Sequence, residues 1–220
     1  MPINPGAVAV FDFDGTLTHT DSFLPFLRHA AGRWAFFNGM ARLAPAMARF
    51  ALRRMPNHEL KERFLSAFLG GRDLAAVRTQ AMTFSKRRLP SLLNSEAMEK
   101  LHWHRTQGHR IILLSASPEL YLEVWARDQG IEEVLGTKLE TQGGRLTGRL
   151  VGENCHGEAK VRRLTEHLGD LSTLVLYGYG DSRADLPLLS RCAHPAFRSF
   201  ERRGLTARME RLFLFCRSLI

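Results

Sequence analysis

The first apolar run of the chain ends in two aspartates, and this ending constrains the fold more than any other feature. Residues 8–17 read VAVFDFDGTL, which predicts a buried strand over Ala7–Phe13 with Asp12 and Asp14 at its end. Side chains at positions i and i+2 of an extended chain project to the same side, so the two carboxylates are expected to crowd one small volume. Their mutual repulsion predicts a positively charged group beside the carboxyl end of this strand.

The next strand signal comes almost a hundred residues later, at RIILLSAS over residues 110–117. The intervening sequence is typical of helices. In one segment, Asn57 precedes a periodic apolar run that stops at Gly70 and Gly71, which are the start and stop signals of a helix. The predicted helices cover Phe23–Ala31, Trp34–Arg54, Asn57–Leu69 and Leu74–Leu89. A small helical bundle inserted directly after the first strand is therefore predicted.

From about Leu92 onwards, helix and strand signals alternate. The segment Lys138–Leu150, KLETQGGRLTGRL, alternates around two glycines and predicts a hairpin. Alternation of this kind is typical of a parallel sheet wrapped by helices. The predicted elements are a helix from Leu92 to Gln107, a strand at Arg110–Leu114, helices at Pro118–Gln129 and Glu158–Leu168, and a strand at Leu174–Tyr177. The predicted fold class is α/β, with a doubly wound, mainly parallel sheet.

Composition and charge describe an ordinary globular protein of 220 residues with a basic balance. The chain has 31 Lys and Arg residues against 22 Asp and Glu residues, a net charge of +9 that favours anionic ligands or surfaces. Cys155, Cys192 and Cys216 match no metal or redox spacing and are interpreted as structural, which favours a reducing cytosol. No charge-free stretch is longer than Met1–Phe11, and no cationic leader precedes an apolar segment, so a cytoplasmic protein without a membrane span is predicted.

Chemically active side chains follow each predicted parallel strand, where ligands bind in open α/β sheets. Carboxylates, a hydroxyl and an ammonium together suit a phosphoryl group and a hard cation. The candidates are Asp12 and Asp14 after the first strand, Ser115 and the small Ala116 after the second, Asp181 and Asp185 after the third, and Lys160 near the start of a helix. Gly178 and Gly180 beside them are interpreted as turn glycines.

An aspartate can attack phosphorus and form an acyl-phosphate. A carboxylate and a phosphate dianion repel each other, and one pair of unit charges at about 4 Å costs roughly 4 kcal/mol at a dielectric constant near 20. Lys160 alone barely offsets that repulsion, whereas Mg²⁺ combines carboxylate ligands with a substrate oxygen. We therefore predict Asp12 as nucleophile and metal ligand, and Asp14 as the group that protonates the leaving alkoxide and then deprotonates water.

These residues resemble the four ordered motifs of the haloacid dehalogenase (HAD) superfamily. The motifs are DFDGTL from Asp12, Ser115 closing an apolar strand, Lys160, and GDSRAD from Gly180. The inserted helices resemble the C1 cap of subfamily IB, which holds phosphoserine phosphatase-like and phosphatidylglycerophosphatase C-like hydrolases. The resemblance implies a Rossmann-like core over residues 1–17 and 92–220 and a helical cap domain over residues 18–91.

The resemblance also implies a role for each motif residue in a phosphatase. Asp12 is the nucleophile, and Asp14 is the general acid and base, whose backbone carbonyl also binds Mg²⁺. Phosphate is held by Ser115, by the amide of Ala116 and by Lys160. The remaining implied roles are Asp181 as a metal ligand and Asp185 as a support for the metal.

The substrate is left open between a small phosphate ester and a lipid-linked one. Phosphoserine phosphatases carry a glutamate nine residues after the nucleophile, and here that position is Asp21, a candidate for substrate specificity. The segment Arg28–Arg63 holds eight basic residues and two acidic ones, which is interpreted either as a solvated helical face or as a surface for an acidic ester or an anionic membrane. No binding of nucleic acid is expected, because exposed aromatic residues do not alternate with the basic ones.

Two other function classes remain alternatives to a Mg²⁺-dependent phosphomonoesterase. A phosphoryl transferase or mutase would use the same aspartate and keep water away from the acyl-phosphate. A non-catalytic protein would use the scaffold to dock acidic membranes or nucleic acid through exposed arginines. The arginines considered for this docking are Arg42, Arg49, Arg53 and Arg54.

Overall fold

A five-stranded parallel sheet forms the centre of the computed structural model, which describes residues 6–200. The strands are β1 (Val8–Phe11), β2 (Arg110–Pro118), β3 (Glu133–Thr137), β4 (Leu139–Gln142), β5 (Arg145–Leu150), β6 (Leu176–Gly180) and β7 (His194–Phe197). The parallel sheet has the order β3-β2-β1-β6-β7, and β4 and β5 form a separate antiparallel hairpin. The predictions of a mainly parallel α/β fold and of this hairpin are confirmed.

Five helices lie between β1 and β2 in the chain, of which the first four form the insertion, and the others wrap the sheet. The helices are α1 (Phe23–Ala31), α2 (Arg33–Ala51), α3 (Asn57–Leu69), α4 (Leu74–Arg87), α5 (Ser95–Thr106), α6 (Glu119–Asp128), α7 (Glu158–Leu168) and α8 (Leu186–Leu189). The bounds of α1 to α7 lie within about three residues of the predicted ones, whereas α8 was not predicted. Within residues 6–200, no helix combines the length and the apolar character needed to cross a bilayer.

The central strand β1 is buried on both faces, which explains its continuous apolar sequence. Alternate residues of a strand point to opposite faces of the sheet. Val8 and Val10 belong to a core cluster that includes Leu164 of α7, whereas Ala9 and Phe11 belong to the larger cluster on the other face. This double cover holds the end of β1 in a fixed position between β2 and β6.

The chain leaves the sheet for the inserted helices and returns to it at one place. Thr18 and Leu93 form an isolated antiparallel bridge, and the amide of Asn94 donates to the carbonyl of Leu17 at 2.9 Å. On the far side, the β4–β5 hairpin holds the insertion, because the Gly71 amide donates to the Leu146 carbonyl at 2.7 Å. The inserted helices are thus attached to the rest of the molecule at both ends of the bundle.

Two strands of the sheet were not predicted, and the other three, β1, β2 and β6, differ from prediction at their ends. The sequence analysis gave no strand at β3 or β7. β1 ends at Phe11, and residues 13–17 form a helical turn, so Phe13 is not part of the strand. The predicted strand Leu174–Tyr177 is observed two residues later at its start and continues to Gly180.

The interpretation of Gly178 and Gly180 as turn glycines was wrong, because both lie inside β6 and are buried. Their lack of a side chain serves close packing. A Cβ atom on Gly180 would lie 2.5 Å from the Cβ atom of Asp185, and one on Gly178 would lie 2.5 Å from the sulfur of Cys192. The glycines therefore bring the segment that carries Asp185 against the sheet.

Three further expectations concern the start of α3, the cysteines and the range of the predicted core. Asn57 begins α3, but Pro56 occupies the N-cap, and the Asn57 side chain accepts a hydrogen bond from Asn154 instead. Cys155 is buried and Cys192 is half-buried, both as free thiols, whereas Cys216 lies outside the described residues. Residues 201–220 of the predicted core range also lie outside them.

Candidate active site

The carboxyl end of β1 brings Asp12 against a buried lysine. The Asp12 amide donates to the carbonyl of Tyr179 in β6 at 2.9 Å, which fixes the end of the strand. Nζ of Lys160, in the first turn of α7, lies 2.7 Å from Oδ1 of Asp12 and 2.6 Å from Oδ1 of Asp185. All three side chains are buried. Lys160 is therefore the positive group that the sequence analysis expected beside Asp12.

Three carboxylates gather around this lysine. One oxygen each of Asp12, Asp181 and Asp185 lies within 4.8 Å of the others, and all three residues are buried. Three ionised carboxylates against one ammonium leave an excess of negative charge, which a buried site does not sustain without a cation. The donor set, made of hard oxygens, fits Mg²⁺.

Both carboxylate oxygens of Asp185 accept hydrogen bonds from protein groups, so this residue supports the cluster. Its Oδ1 accepts from Lys160, and its Oδ2 accepts from the amides of Asp181 and Ser182 at 3.2 and 2.9 Å and from the Ser182 hydroxyl at 2.8 Å. With both oxygens engaged, Asp185 fixes Lys160 and the loop of Asp181.

The pKa values in the cluster follow from burial and from Lys160. Burial raises the pKa of Asp12 well above its usual range, and the charge of Lys160 opposes this rise. Burial acts in the same direction on Asp185, but the Lys160 ammonium and the donors of Ser182 bring its pKa below the ordinary value. Burial alone would lower the pKa of Lys160, yet the two carboxylates raise it. The lysine therefore stays charged at every physiological pH.

The carboxylate of Asp14 has partners different from those of Asp12. Its Oδ1 accepts from the amide of Ser22 at 2.7 Å, and its Oδ2 accepts from the hydroxyl of Ser117 at 2.5 Å. Ser22 directly precedes α1, and Ser117 lies at the end of β2. Because the strand ends at Phe11 and the chain turns at residues 13–17, the side chains of Asp12 and Asp14 do not project from one continuous strand as expected. Asp14 thus lies where the inserted helices meet the core.

Ser115 and Ala116 lie in an irregular part of β2. The register between β2 and β3 shifts between Leu114 and Pro118, so this segment leaves the regular ladder. The Ser115 oxygen accepts from the Ser117 amide at 3.1 Å and is buried, whereas Ala116 is half-buried. Ser115 keeps its own hydroxyl proton for donation. The hydroxyl of Ser115 and the amide of Ala116 come two and three residues after Leu113, which pairs with Phe11 at the end of β1.

The model of the haloacid dehalogenase-like hydrolase family matches residues 9–190 of this chain. The chain belongs to this family. The predictions of a HAD fold and of a hydrolase are thereby confirmed, since the match covers most of the chain.

Two curated relatives and one solved structure are similar to this HAD-family chain. Protein CicA of Caulobacter vibrioides is 36% identical over 195 residues, which cover 88% of this chain and 86% of CicA. Phosphoserine phosphatase SerB1 of Mycobacterium tuberculosis is 32% identical over 196 residues, which cover 86% of this chain and 63% of SerB1. A crystal structure of a Bordetella pertussis protein of unknown function has a TM-score of 0.76 at 23% identity, with 94% of this chain and 95% of that chain covered. The last similarity shows the fold alone.

Sequence reasoning missed one buried lysine of this HAD-family site. Lys61 was counted within the basic segment of the inserted helices, but its side chain is only 1% exposed. Its Nζ donates to the carbonyl of Ala116 at 2.6 Å and to Oδ1 of Asn154 at 3.1 Å, and it lies over the ring of Phe23. A signal was present in the sequence, because Lys61 precedes Phe64 by three residues and falls on the apolar side of α3.

Lys61 completes a hydrogen-bond network between the inserted helices and the core. The hydroxyl of Thr137 lies 2.6 Å from the Ala116 carbonyl and 2.9 Å from Oδ1 of Asn154. A threonine hydroxyl has one proton, so it serves one of these acceptors at a time. Lys61 has three donors and serves both. Without it, one buried acceptor next to the Ala116 segment loses its partner.

Asp21 lies at the start of α1, close to the charges of Asp14 and Lys61. Its carboxylate accepts from the amides of Phe23 and Leu24 at 3.2 and 3.1 Å, which makes it a cap of the helix. Burial, followed by the negative charge of Asp14, raises the pKa of Asp21 to about 7. The side chain is half-buried, so solvent screens part of that effect. Its capping role accounts for an acidic residue at this position without reference to substrate.

Activity is expected to fall as pH rises through about 8, because burial lowers the pKa of Lys61 to about 8. The folded pKa lies below the ordinary value of 10.5, so the ammonium loses its proton within the range of an ordinary assay. A neutral amine still donates to Ala116 and Asn154, but its positive charge beside Asp14 is lost. The measurement is kcat/KM for a phosphate ester between pH 6 and pH 10, values that bracket this pKa.

The variants Lys61→Arg and Lys61→Met distinguish the effect of the Lys61 charge on activity from the effect of its hydrogen bonds. The arginine keeps its charge throughout this range, so its profile should lack the fall near pH 8. The methionine removes both properties, so we expect lower activity at every pH and no inflection. A fall near pH 8 that persists in Lys61→Arg would assign that titration to another group.

Proposed function

We propose that the protein is a Mg²⁺-dependent phosphomonoester hydrolase that works through an aspartyl-phosphate on Asp12. The observation that carries the proposal is the buried contact of Asp12 with Lys160, which also holds Asp185 beside Asp181. A carboxylate fixed in this way, at the end of a central strand, fits the role of a nucleophile toward phosphorus. The name of the M. tuberculosis relative supports a phosphatase activity.

In the first half of the proposed reaction, a carboxylate oxygen of Asp12 forms a bond to phosphorus, and the bond between phosphorus and the ester oxygen breaks. Lys160, the Ser115 hydroxyl and the Ala116 amide donate to the phosphoryl oxygens, whose charge they stabilise. Asp14 gives a proton to the leaving alkoxide. The alcohol departs and leaves a phosphorylated Asp12.

In the second half, Asp14 takes a proton from water, and the resulting hydroxide attacks the phosphorus of the aspartyl-phosphate. Inorganic phosphate leaves, and the carboxylate of Asp12 is regenerated. The Ser22 amide and the Ser117 hydroxyl hold Asp14 in one orientation for both proton transfers. Since Ser22 directly precedes α1, the packing of that helix on the core affects the orientation of the Asp14 carboxylate.

We propose that Asp12 and Asp181, with the backbone carbonyl of Asp14, hold the metal. When bound, Mg²⁺ neutralises the excess charge of the cluster and polarises the phosphoryl group. Asp181→Asn should then raise the Mg²⁺ concentration needed for half-maximal activity at least about tenfold, because a charged oxygen ligand becomes a neutral one. Ca²⁺, which binds in looser and larger coordination, should support little activity.

A titration of activity with each cation, before and after chelation, checks this expectation. Asp128→Asn is a matched control, since Asp128 is an exposed aspartate at the end of α6 with no role in the proposed site. Full activity in excess chelator, or an unchanged Mg²⁺ requirement in Asp181→Asn, would contradict the proposed metal ligands.

We also propose that residues 18–91 form the cap domain and that the cap selects the leaving group of a small or lipid-linked ester. The bridge of Thr18 with Leu93 supports these limits, because the chain crosses between the two parts there. A cytoplasmic location and contact of the basic cap with anionic lipid belong to the same hypothesis.

The experiment that tests the function is a panel of phosphate esters offered to the purified protein with Mg²⁺. The panel should include phosphoserine, sugar phosphates and lipid phosphates, with release of phosphate and of alcohol measured together. Equal release of both products supports a hydrolase. Release of alcohol with transfer of the phosphoryl group to an added acceptor would indicate a transferase, and no release from any ester would contradict catalysis.

A further inference from the structure

Helix α2 carries apolar side chains on both of its faces, although only one face is covered. Phe36 and Ala46 are buried against the core, together with the half-buried Met40, Leu43, Met47 and Phe50. On the opposite face, the side chain of Trp34 is 81% exposed and that of Phe37 is 51% exposed. A continuous patch of exposed apolar side chains normally marks an interaction site. The outer face of α2 is therefore expected to have a partner.

The exposed apolar residues of α2 form one continuous stripe. Residues three or four positions apart lie on the same side of a helix. The outer stripe consists of Trp34, Phe37, Ala41, Ala44, Ala48 and Leu52, all of them exposed. Arg42 and Arg49 flank it along the helix, and Arg53 follows at its end. Aromatic and aliphatic side chains bordered by arginines are typical of helices that lie in a membrane surface.

The charge around the outer stripe has a single sign. The sequence between Asp21 and Glu59 contains six arginines and no acidic residue. A second copy of this chain, docked through the same face, would bring arginines against arginines. An anionic partner is favoured instead, and a flat anionic surface matches a stripe that runs the length of the helix.

A cavity of about 780 Å³ opens at the amino-terminal end of α2. Arg28, Arg33 and Arg88 line it above apolar side chains that include Leu24 and Phe84. The guanidinium of Arg28 lies 5.9 Å from the ring centre of Phe37, so the cavity adjoins the outer stripe. Three guanidinium groups over an apolar floor suit a phosphate with an attached hydrocarbon chain.

We propose that the outer stripe lies in the surface of an anionic phospholipid bilayer and that the adjoining cavity takes the phosphate of one lipid headgroup. Trp34 and Phe37 insert at the level of the headgroups, where aromatic side chains are enriched. Arg42 and Arg49 contact the surrounding lipid phosphates. This docking does not depend on the chemistry at Asp12, so it is tested without turnover.

The test is flotation of the full chain with two kinds of vesicle, one of phosphatidylcholine alone and one of phosphatidylcholine and phosphatidylglycerol in equal parts. The wild-type protein should float with the anionic vesicles only, and less so at high salt. Arg42→Glu with Arg49→Glu should weaken the partition by more than about thirtyfold, since loss of each basic residue near such a surface costs about fivefold and reversal of its charge costs more. Trp34→Ala with Phe37→Ala should weaken it by about tenfold or more.

Matched controls distinguish an effect of the outer stripe on vesicle binding from a general effect of surface charge or of exposed apolar area. Arg78→Glu with Arg87→Glu reverses two exposed arginines of α4, and Met82→Ala with Val151→Ala truncates two exposed apolar residues elsewhere. Both control pairs should float like the wild type. Equal loss in a control and in its stripe counterpart would overturn the proposal, as would equal flotation with both vesicle types or with neither.

Further measurements test the cavity and the two other possible occupants of the outer stripe. Arg88→Glu, which affects only the cavity, should weaken the partition at least about fivefold. Excess glycerol 3-phosphate at constant ionic strength should weaken the partition no more than Arg88→Glu does, and complete release would show a site for a soluble anion and overturn the bilayer proposal. A dimer in sedimentation that Trp34→Ala with Phe37→Ala dissociates would assign the stripe to a second copy.

Discussion

Replacing Asp12 by asparagine should lower kcat below about one ten-thousandth of the wild-type value for every phosphate ester tested. An amide cannot form the bond to phosphorus that the proposed mechanism requires. Rapid quenching of the wild type during turnover should trap an acyl-phosphate, and Asp12→Asn should yield none. More than a trace of steady-state activity in this variant would contradict the assignment of the nucleophile.

The fold should survive Asp12→Asn, so the loss is chemical. The asparagine oxygen can still accept a hydrogen bond from Lys160, which keeps Asp185 as its charged partner at 2.6 Å. Removal of one carboxylate also relieves repulsion with Asp181, so Tm should stay equal or rise. Asp128→Asn makes the same chemical change at an exposed position of α6 and should leave kcat and Tm unaltered.

Replacing Asp14 by asparagine should slow alkyl phosphate hydrolysis by about a hundredfold to ten-thousandfold, which is the usual contribution of a positioned acid and base. The loss should depend on the leaving group. A nitrophenolate departs without a proton, so the first turnover of nitrophenyl phosphate should remain fast while later turnovers become slow. The expected signature is a burst of nitrophenol equal to the enzyme concentration, followed by a slow steady state.

Ser117→Ala provides the control for the position of Asp14. It removes one of the two donors to this carboxylate and leaves the acid in place. A smaller loss than in Asp14→Asn, without a burst, is expected. Equal losses of the first turnover on alkyl and nitrophenyl esters in Asp14→Asn would contradict its role as an acid.

The parts of the fold that the sequence predicted are those set by local patterns. The helix bounds of α3 and α7 follow from apolar periodicity and from the residues at their ends. β1 and β2 are continuous apolar runs because they are buried on both faces, and the residues just beyond them are the motif residues. Local signals therefore located Asp12, Ser115 and Lys160, and the structure brings these elements together at one edge of the sheet.

The missed parts depend on contacts between distant segments. β7 reads HPAF and lies at the sheet edge, where an exposed strand needs no apolar run. β3 contains a glutamate and a glycine and becomes a strand only by pairing with β2. Lys61 falls on the apolar side of α3, but the Ala116 carbonyl that accepts its hydrogen bond is 55 residues away in the sequence. The partners of Asp14, Ser22 and Ser117, are likewise brought together only by the packing of the inserted helices on the core.

The position of β1 in the middle of the sheet has a consequence for folding. Its hydrogen-bonded neighbours, residues 110–113 and 176–179, are synthesised long after it. The inserted helices depend on contacts close in sequence and can form early, whereas pairing of β1 requires closure of two long loops. In refolding from denaturant, phosphatase activity should therefore recover more slowly than the helical circular dichroism signal. β1 is the first strand to be synthesised, but its pairing with β2 and β6 should be among the last contacts to form.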